Sequence, residues 1–442
     1  MDSFQQLYES GKYDELVELT SQHNTSETKY WYLRAKLELF DPDTLSDEIK
    51  KLDIADPEWE ARILFNLGDK YLAISKIENG LSCFKSSYAI YTDLKKTEET
   101  ANVLNRIGMT YIFTGEIELA FENFEKGLKL AQEHDYKILA SRIYNNTGEL
   151  FRAMGELELA QNNYEKALEI AKQCNEFDFI VIFLNNIAEI LTSKEKLIEA
   201  RKYLEEGKQY LKNTKDVAIQ ALLITSLAEV NLMMENIPEV EDAVSQLEDL
   251  TKKHDNKIIR LYSDYSKAVL YKSHDRLNFK VKAQELLEKI IDTSGIEFEL
   301  MIKAMNHHIE LLIFEYRMYE QDVVLVEIVH AVERMYNIAK KQHRYATLID
   351  VLIIQSRLAI IDNKFDQANL LLTQAELMAK EKRMEHYSKK VRNEIELVER
   401  NLSDMKRIVT SESILDRLDQ IELLDYIKRA RKIGDTFGRR EQ

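Results

Sequence analysis

The sequence predicts an all-α protein, an α-solenoid of stacked antiparallel helical hairpins, and three observations predict it. A small residue returns every fortieth position: Gly68, Gly108, Gly148, Ala188 and Ala228. A second mark follows twelve residues later (Gly80, Ala120, Ala160, Ala200, Val240), and an apolar side chain four after that (Phe84, Phe124, Tyr164, Leu204, Val244). A fixed period of this length marks repeated supersecondary units that share one continuous core. Helix breakers are rare, with only 12 glycines and 3 prolines in 442 residues, and alternating β-branched runs are scarce. Within each period the apolar residues recur at helical spacing.

Residues 101–134 show one unit in full. Its first helix carries Leu104, Ile107, Gly108 and Tyr111 on one stripe. Thr114-Gly115 then breaks it with a residue free to take the left-handed conformation. The second helix presents Ile117, Ala120, Phe124, Gly127 and Leu128. Gly108 and Ala120 let the two helices approach, and Tyr111 with Phe124 fills the space between them.

The same reading divides the chain. Residues 1–58 are expected to hold degenerate N-terminal hairpins, with ESGKYDEL (Gly11, Tyr13, Leu16) as a turn and a second helix. A regular array follows over 59–271, then diverged helical repeats over 272–345, where SHDRLNF (273–279) shifts the register and TSG (293–295) is the clearest loop. One further copy is expected over 346–383 (Ser356, Ala359, Ala368, Leu372, Ala375). Capping helices over 384–433 and a basic tail over 434–442 complete the division; Ser411 or Ser413 caps the last helix and Gly434 ends it. Polar terminal units are what a solenoid needs to stay in solution.

Composition narrows the function. With 45% apolar and 31% charged residues the chain has the makings of a folded core. A net charge of −16 disfavours general nucleic-acid binding, which needs cations to release phosphate counterions, and points to a protein or peptide partner. Cys83 and Cys174 form no motif and are expected as free thiols. The start, MDSFQQLYES, lacks the pattern of a signal peptide, and apolar runs such as FIVIFL (179–184) are too short to span a bilayer, so a cytoplasmic location is expected. No GxxxxGK[ST], GxGxxG, CxxC or GxSxG is present, so neither an enzyme nor a cofactor is expected. His307 and His308 are adjacent, so on a helix they point about 100° apart and cannot chelate one metal together; a structural or surface role is expected.

The marks resemble the tetratricopeptide repeat family, whose signature is a small residue at position 8, an aromatic at 11, alanine at 20, an aromatic at 24 and alanine at 27. Gly108, Tyr111, Ala120, Phe124 and Gly127 match it, as do Gly148, Phe151, Ala160, Tyr164 and Ala167, and Gly68, Tyr71, Gly80, Phe84 and Ser87. The copies from Ala188 and Ala228 drift. The period is 40 rather than about 34 and the family's closing proline is absent, so each hairpin is longer, as in kinesin light chains, spindle-orientation adaptors and bacterial peptide-pheromone receptors. The resemblance implies a right-handed superhelix that binds a peptide segment in its concave groove.

Carried over by register, first-helix positions 5 and 6 read Phe65-Asn66, Asn105-Arg106, Asn145-Asn146, Asn185-Asn186 and Thr225-Ser226. A carboxamide both donates and accepts, so such a ladder suits the N–H and C=O groups of an extended peptide. Asparagine is also a mediocre interior-helix residue, so its recurrence calls for a reason. Position 9 is acidic in Asp69, Glu149, Glu189 and Glu229, and Arg152 stands at position 12. The expected peptide-binding residues are therefore Asn66, Asn105, Asn145, Asn146, Asn185, Asn186, Glu149, Arg152 and Glu189, and the acids favour a cationic or amide-rich ligand. The lysines of the family's carboxylate clamp are missing. Two rivals stand beside this adaptor: a peptide-sensing regulator without its own DNA-binding domain, and a structural subunit that forms homo-oligomers through the C-terminal helix 411–433. The stretch KRARKIGDTFGRR (428–440) could serve as an electrostatic arm, or could merely complement a helix C-terminus.

Overall fold

The fold is taken from a computed structural model, which describes residues 2–21, 25–45, 54–74, 76–293, 295–362 and 364–396, with Glu48 and Leu423. The expected capping helix 411–433 and the basic stretch 428–440 lie outside the described residues apart from Leu423. Among the described residues there is no strand, and the chain is an all-α array of stacked hairpins. It divides into two compact units, 1–146 and 147–442.

The first unit opens with α1 (Asp2–Glu9) and α2 (Tyr13–Ser21), which turn about Gly11 at φ 73°, and continues with α3 (Ser26–Leu39). Thr25 and Thr28 cap α3 reciprocally. Two hairpins follow, α4 (Pro57–Ala73) with α5 (Ile77–Asp93) and α6 (Thr97–Thr114) with α7 (Ile117–Glu133). The boundary between the units falls inside α8 (Lys137–Met154), which pairs in sequence with α9 (Leu157–Cys174). The second unit then runs through α10 (Phe177–Ser193) and α11 (Leu197–Tyr210), α12 (Val217–Met233) and α13 (Ile237–Lys253), and α14 (Lys257–Ser273) and α15 (Leu277–Ile291). It ends with α16 (Phe298–Tyr319) and α17 (Asp322–Lys341), α18 (Tyr345–Ile361) and α19 (Phe365–Glu381), and a helical stretch over 385–396.

Packing explains the forty-residue marks. A Cβ built on Gly68 would come within 2.7 Å of the Phe84 ring, one on Gly108 within 2.6 Å of Phe124, and one on Gly148 within 2.6 Å of Tyr164. The aromatic of each second helix therefore lies flat on the glycine of the first, and all three rings are fully buried. Gly127 likewise passes close to the Ala101 carbonyl, 3.2 Å from an added Cβ.

A second beat, of twenty residues, runs through the turns. Lys95, Gly115, Asp135, Gly155, Asn175, Glu195 and Glu235 all take positive φ, between 56° and 83°. In each of these turns the following N–H reaches back to a carbonyl five residues earlier, as from Glu116 to Tyr111 at 2.9 Å and from Glu156 to Phe151 at 2.8 Å. This closure satisfies the orphan carbonyls of the ending helix. Only two of the seven turns use glycine, which is why the sequence does not display this beat. Both cysteines are unpaired, and burial pushes the Cys83 thiol up to about 11.

Candidate functional site

In the first unit two of the expected asparagines, Asn105 and Asn146, meet across successive first helices. Asn66 on α4 is half-buried; its Nδ2 donates to the Arg62 carbonyl at 2.8 Å and to the Tyr30 hydroxyl at 3.2 Å. Asn105 on α6 is wholly buried, and its Oδ1 accepts from Asn146 Nδ2 at 2.9 Å. Asn145 Nδ2 donates to Asn146 Oδ1 at 3.2 Å. The forty-residue register thus becomes a physical contact between carboxamides of successive first helices. One donor is left over: Asn105 Nδ2 is buried and has no partner among the described residues.

In the second unit the equivalent faces carry charge. Arg152, only 1% exposed, donates from Nη2 to Glu149 Oε2 at 2.5 Å and from Nη1 to Glu189 Oε2 at 3.0 Å, while Glu299 of α16 stands 4.0 Å away. The Tyr164 hydroxyl donates to Glu149 Oε1 at 2.7 Å, and Asn186 Nδ2 approaches the same oxygen at 3.4 Å. Asn185 Nδ2 donates to Glu189 Oε1 at 3.2 Å, leaving Asn185 Oδ1 buried without a partner among the described residues. Burial opposes the arginine's charge, but Glu149 foremost, then Glu189 and Glu299, outweigh it and hold its pKa above the ordinary value. Burial raises the Tyr164 phenol well above its own range, so it stays a donor to Glu149.

All nine residues expected from sequence thus lie on first helices, and eight of them are buried; Asn66 is the exception. The acids at position 9 are matched within the chain. Asp69 lies 3.4 Å from Arg106, Glu149 and Glu189 share Arg152, and Glu229 accepts from Lys303 Nζ at 2.9 Å and from the Tyr265 hydroxyl at 2.7 Å. Lys303 and Glu299 were invisible to repeat reasoning because α16 carries none of the repeat's small-residue marks. No periodic signal links residue 229 to residue 303. Similar pairs continue toward the end of the unit, Asp350 with Lys390 at 2.6 Å and Arg357 with Glu394 at 2.8 Å.

The two adjacent histidines part company. His307 is buried with its Nδ1 2.6 Å from Lys272 Nζ, and that lysine also pairs with Glu310. His308 is half-buried, its Nδ1 has no partner, and burial holds its pKa below the ordinary 6.5. The folded state therefore resists a proton that the unfolded state accepts. His308 should contribute stability that is whole above about pH 6.5 and is lost as pH falls toward its lowered folded value, at up to about 1.4 kcal/mol per pH unit. Urea unfolding between pH 7.5 and 5 should show this loss, and His308→Gln should flatten the profile; an unchanged slope would refute the assignment. Among the described residues no cluster of His, Cys, Asp and Glu is placed to hold a metal ion, and no helix is long and apolar enough to cross a membrane.

Comparison with known proteins agrees with the repeat architecture. Residues 52–215 match the model of the MalT-like TPR region. No curated relative matches the chain. Among solved structures, the apo form of the quorum sensor NprR from B. thuringiensis is 17% identical over 84% of this chain and 98% of that one, with a TM-score of 0.47. A Rap protein complexed with competence and sporulation factor is 13% identical over 77% of this chain and 96% of its own, with a TM-score of 0.48. The Rap conjugation gene regulator of the plasmid pLS20, in complex with the Phr* peptide, is 14% identical over 76% and 95%, with a TM-score of 0.47.

Proposed function

We propose that this chain, a helical-repeat protein of the tetratricopeptide type, is a non-enzymatic adaptor that binds a peptide segment of a partner protein along the asparagine-bearing faces of its first helices. One observation carries the reading. Among the described residues a buried carboxamide donor on α6 of the first unit, Asn105 Nδ2, has no acceptor, and separately, on α10 of the second unit, a buried carboxamide acceptor, Asn185 Oδ1, has no donor. Each such group costs about 1–3 kcal/mol while unmatched, and an extended peptide backbone offers both complements.

The charge pairs set the conditions of entry in the second unit. Glu229 with Lys303, and Arg152 with Glu299, join the position-9 and position-12 side chains of α12 and α8 to α16. A peptide lying along these faces exchanges its own groups for those of α16, and a ligand lysine or arginine is suited to replace Lys303 at Glu229. The same pairs favour the second reading, a peptide-sensing regulator, because ligand and internal cation compete for one acid and so bias two arrangements of the unit. Both readings place the ligand on the same residues.

The test is capture of partners from host extract by the wild-type chain, by Asn145→Ala/Asn185→Ala and by Lys303→Ala, each checked for folding by thermal melt. The asparagine variant should capture at least tenfold less, and Lys303→Ala should capture more. Equal capture by all three would remove the adaptor reading.

A further inference from the structure

The N-terminal unit holds a cavity of about 480 Å³ that the adaptor reading does not use. Its walls come from α1, α2, α3 and α4, and they are unusually aromatic. Tyr13, Tyr8, Trp31, Tyr30 and Trp59 form a continuous belt, with successive ring centroids 5.3, 6.1, 5.2 and 5.0 Å apart. Two guanidinium groups lie on this belt: Arg34 sits 4.2 Å over Tyr8, and Arg62 sits 4.8 Å over Trp59.

The polar groups around the cavity are unbalanced in one direction. Arg34 Nη1 donates to the Tyr30 hydroxyl at 2.7 Å, but its Nε is buried with no acceptor, and the residue forms no ion pair among the described residues. Trp31 is only 7% exposed, and its indole N–H is likewise buried with no acceptor among the described residues. The acids nearby are engaged elsewhere. Glu38 takes the Tyr8 hydroxyl and Lys70, Glu9 accepts from Gln5 at 2.8 Å, and Glu58 accepts from Arg62 at 2.8 Å and from Lys96. What the site lacks is an acceptor, and an anionic one satisfies the unpaired guanidinium most strongly. Beside these donors it offers a run of mutually tilted aromatic rings, against which a further ring can pack.

We infer that this cavity is a binding site for an aromatic anion, a molecule that joins a planar ring to a carboxylate or a phosphate. The anion sits with Arg34 and the Trp31 N–H, with Arg62 beside it, and the ring packs against the belt. A peptide ending in an aromatic residue and an aromatic phosphate ester share this chemistry. The inference does not rest on the asparagine faces, and the failure of either leaves the other standing.

Trp31 and Trp59 are the only two tryptophans in the chain, so tryptophan emission, excited at the red edge where the 22 tyrosines do not absorb, reports on this cavity. The full chain is titrated with N-acetylphenylalanine and with phenyl phosphate, with the neutral N-acetylphenylalaninamide and inorganic phosphate as controls. Calorimetry supplies an independent affinity. A saturable fluorescence change with at least one aromatic anion is expected, at least tenfold stronger than with either control. Preference for the carboxylate identifies a peptide terminus or aromatic acid, and preference for the phosphate identifies an ester. Arg34→Gln should weaken binding at least tenfold and Arg62→Gln by a smaller factor. No saturation by either aromatic anion at millimolar concentration overturns the site. So does equal binding of the neutral amide, or wild-type affinity in a folded Arg34→Gln. Should that variant fail to fold, wild-type affinity in Arg62→Gln overturns it instead.

Discussion

Replacing Arg152 with methionine should lower the stability of residues 147–442 by about 3–5 kcal/mol, the loss expected when one partner of a buried ion pair is removed. The size follows from stoichiometry. One guanidinium, 1% exposed, faces Glu149, Glu189 and Glu299, themselves 4%, 8% and 5% exposed. Methionine fills similar volume but takes the shared guanidinium away from three buried carboxylates. The acids should not respond alike. Glu299 stands 4.0 Å from the arginine, the farthest of the three, and Glu299→Gln keeps the volume while relieving repulsion among the carboxylates, so it should cost less than Glu149→Gln. Glu149→Gln should be clearly destabilising, because Glu149 also accepts from Tyr164 and Asn186. Urea midpoints at pH 7 measure all three. A loss below about 1 kcal/mol for Arg152→Met would mean that water reaches this group, since exposed pairs contribute no more than that.

The helical architecture was legible in the sequence because packing demands repeat with the unit. Gly108 is small because Phe124 lies on it, and forty residues later Gly148 is small because Tyr164 does the same. The candidate site was legible only in part. Positions 5, 6 and 9 come from the same register, so their place on first helices follows from the period. Their partners do not. Glu229 meets Lys303, and Arg152 meets Glu299, through approaches between helices far apart in the chain, which no local period encodes. The twenty-residue turn beat was hidden for another reason. The closing hydrogen bond tolerates Lys95, Asp135, Glu195 and Glu235 in the left-handed region, although glycine is the usual choice there. The aromatic cavity of the first unit was hidden because Trp31 and Arg34 belong to the degenerate hairpins, where the signature is lost, while Trp59 and Arg62 stand on α4 at positions the signature does not specify.

Phe124→Ala should cost about 3–5 kcal/mol, and its interaction with Gly108 should reverse the sign of a second substitution. Phe124 is 1% exposed and fills the space between α6 and α7, so truncation leaves a cavity that the two helices close only in part. In the wild-type chain Gly108→Ala should also destabilise, by about 1–3 kcal/mol, because the new methyl group would lie 2.6 Å from a ring that is enclosed and cannot retreat. Once the ring is gone that methyl enters the vacated space. Gly108→Ala in the Phe124→Ala background should then be stabilising, both by filling part of the cavity and by removing a glycine from a helix interior, worth about 0.5–1 kcal/mol on its own. The double-mutant cycle read from thermal or urea unfolding should thus give a coupling of at least about 1.5 kcal/mol, well within what contacting residues show. Strict additivity would mean that the glycine is retained for some reason other than the ring. The forty-residue spacing of Gly68, Gly108 and Gly148 would then lack its physical cause. A coupling of the expected sign at Gly148 with Tyr164→Ala as well would show that one steric rule, applied once per hairpin, generates the period.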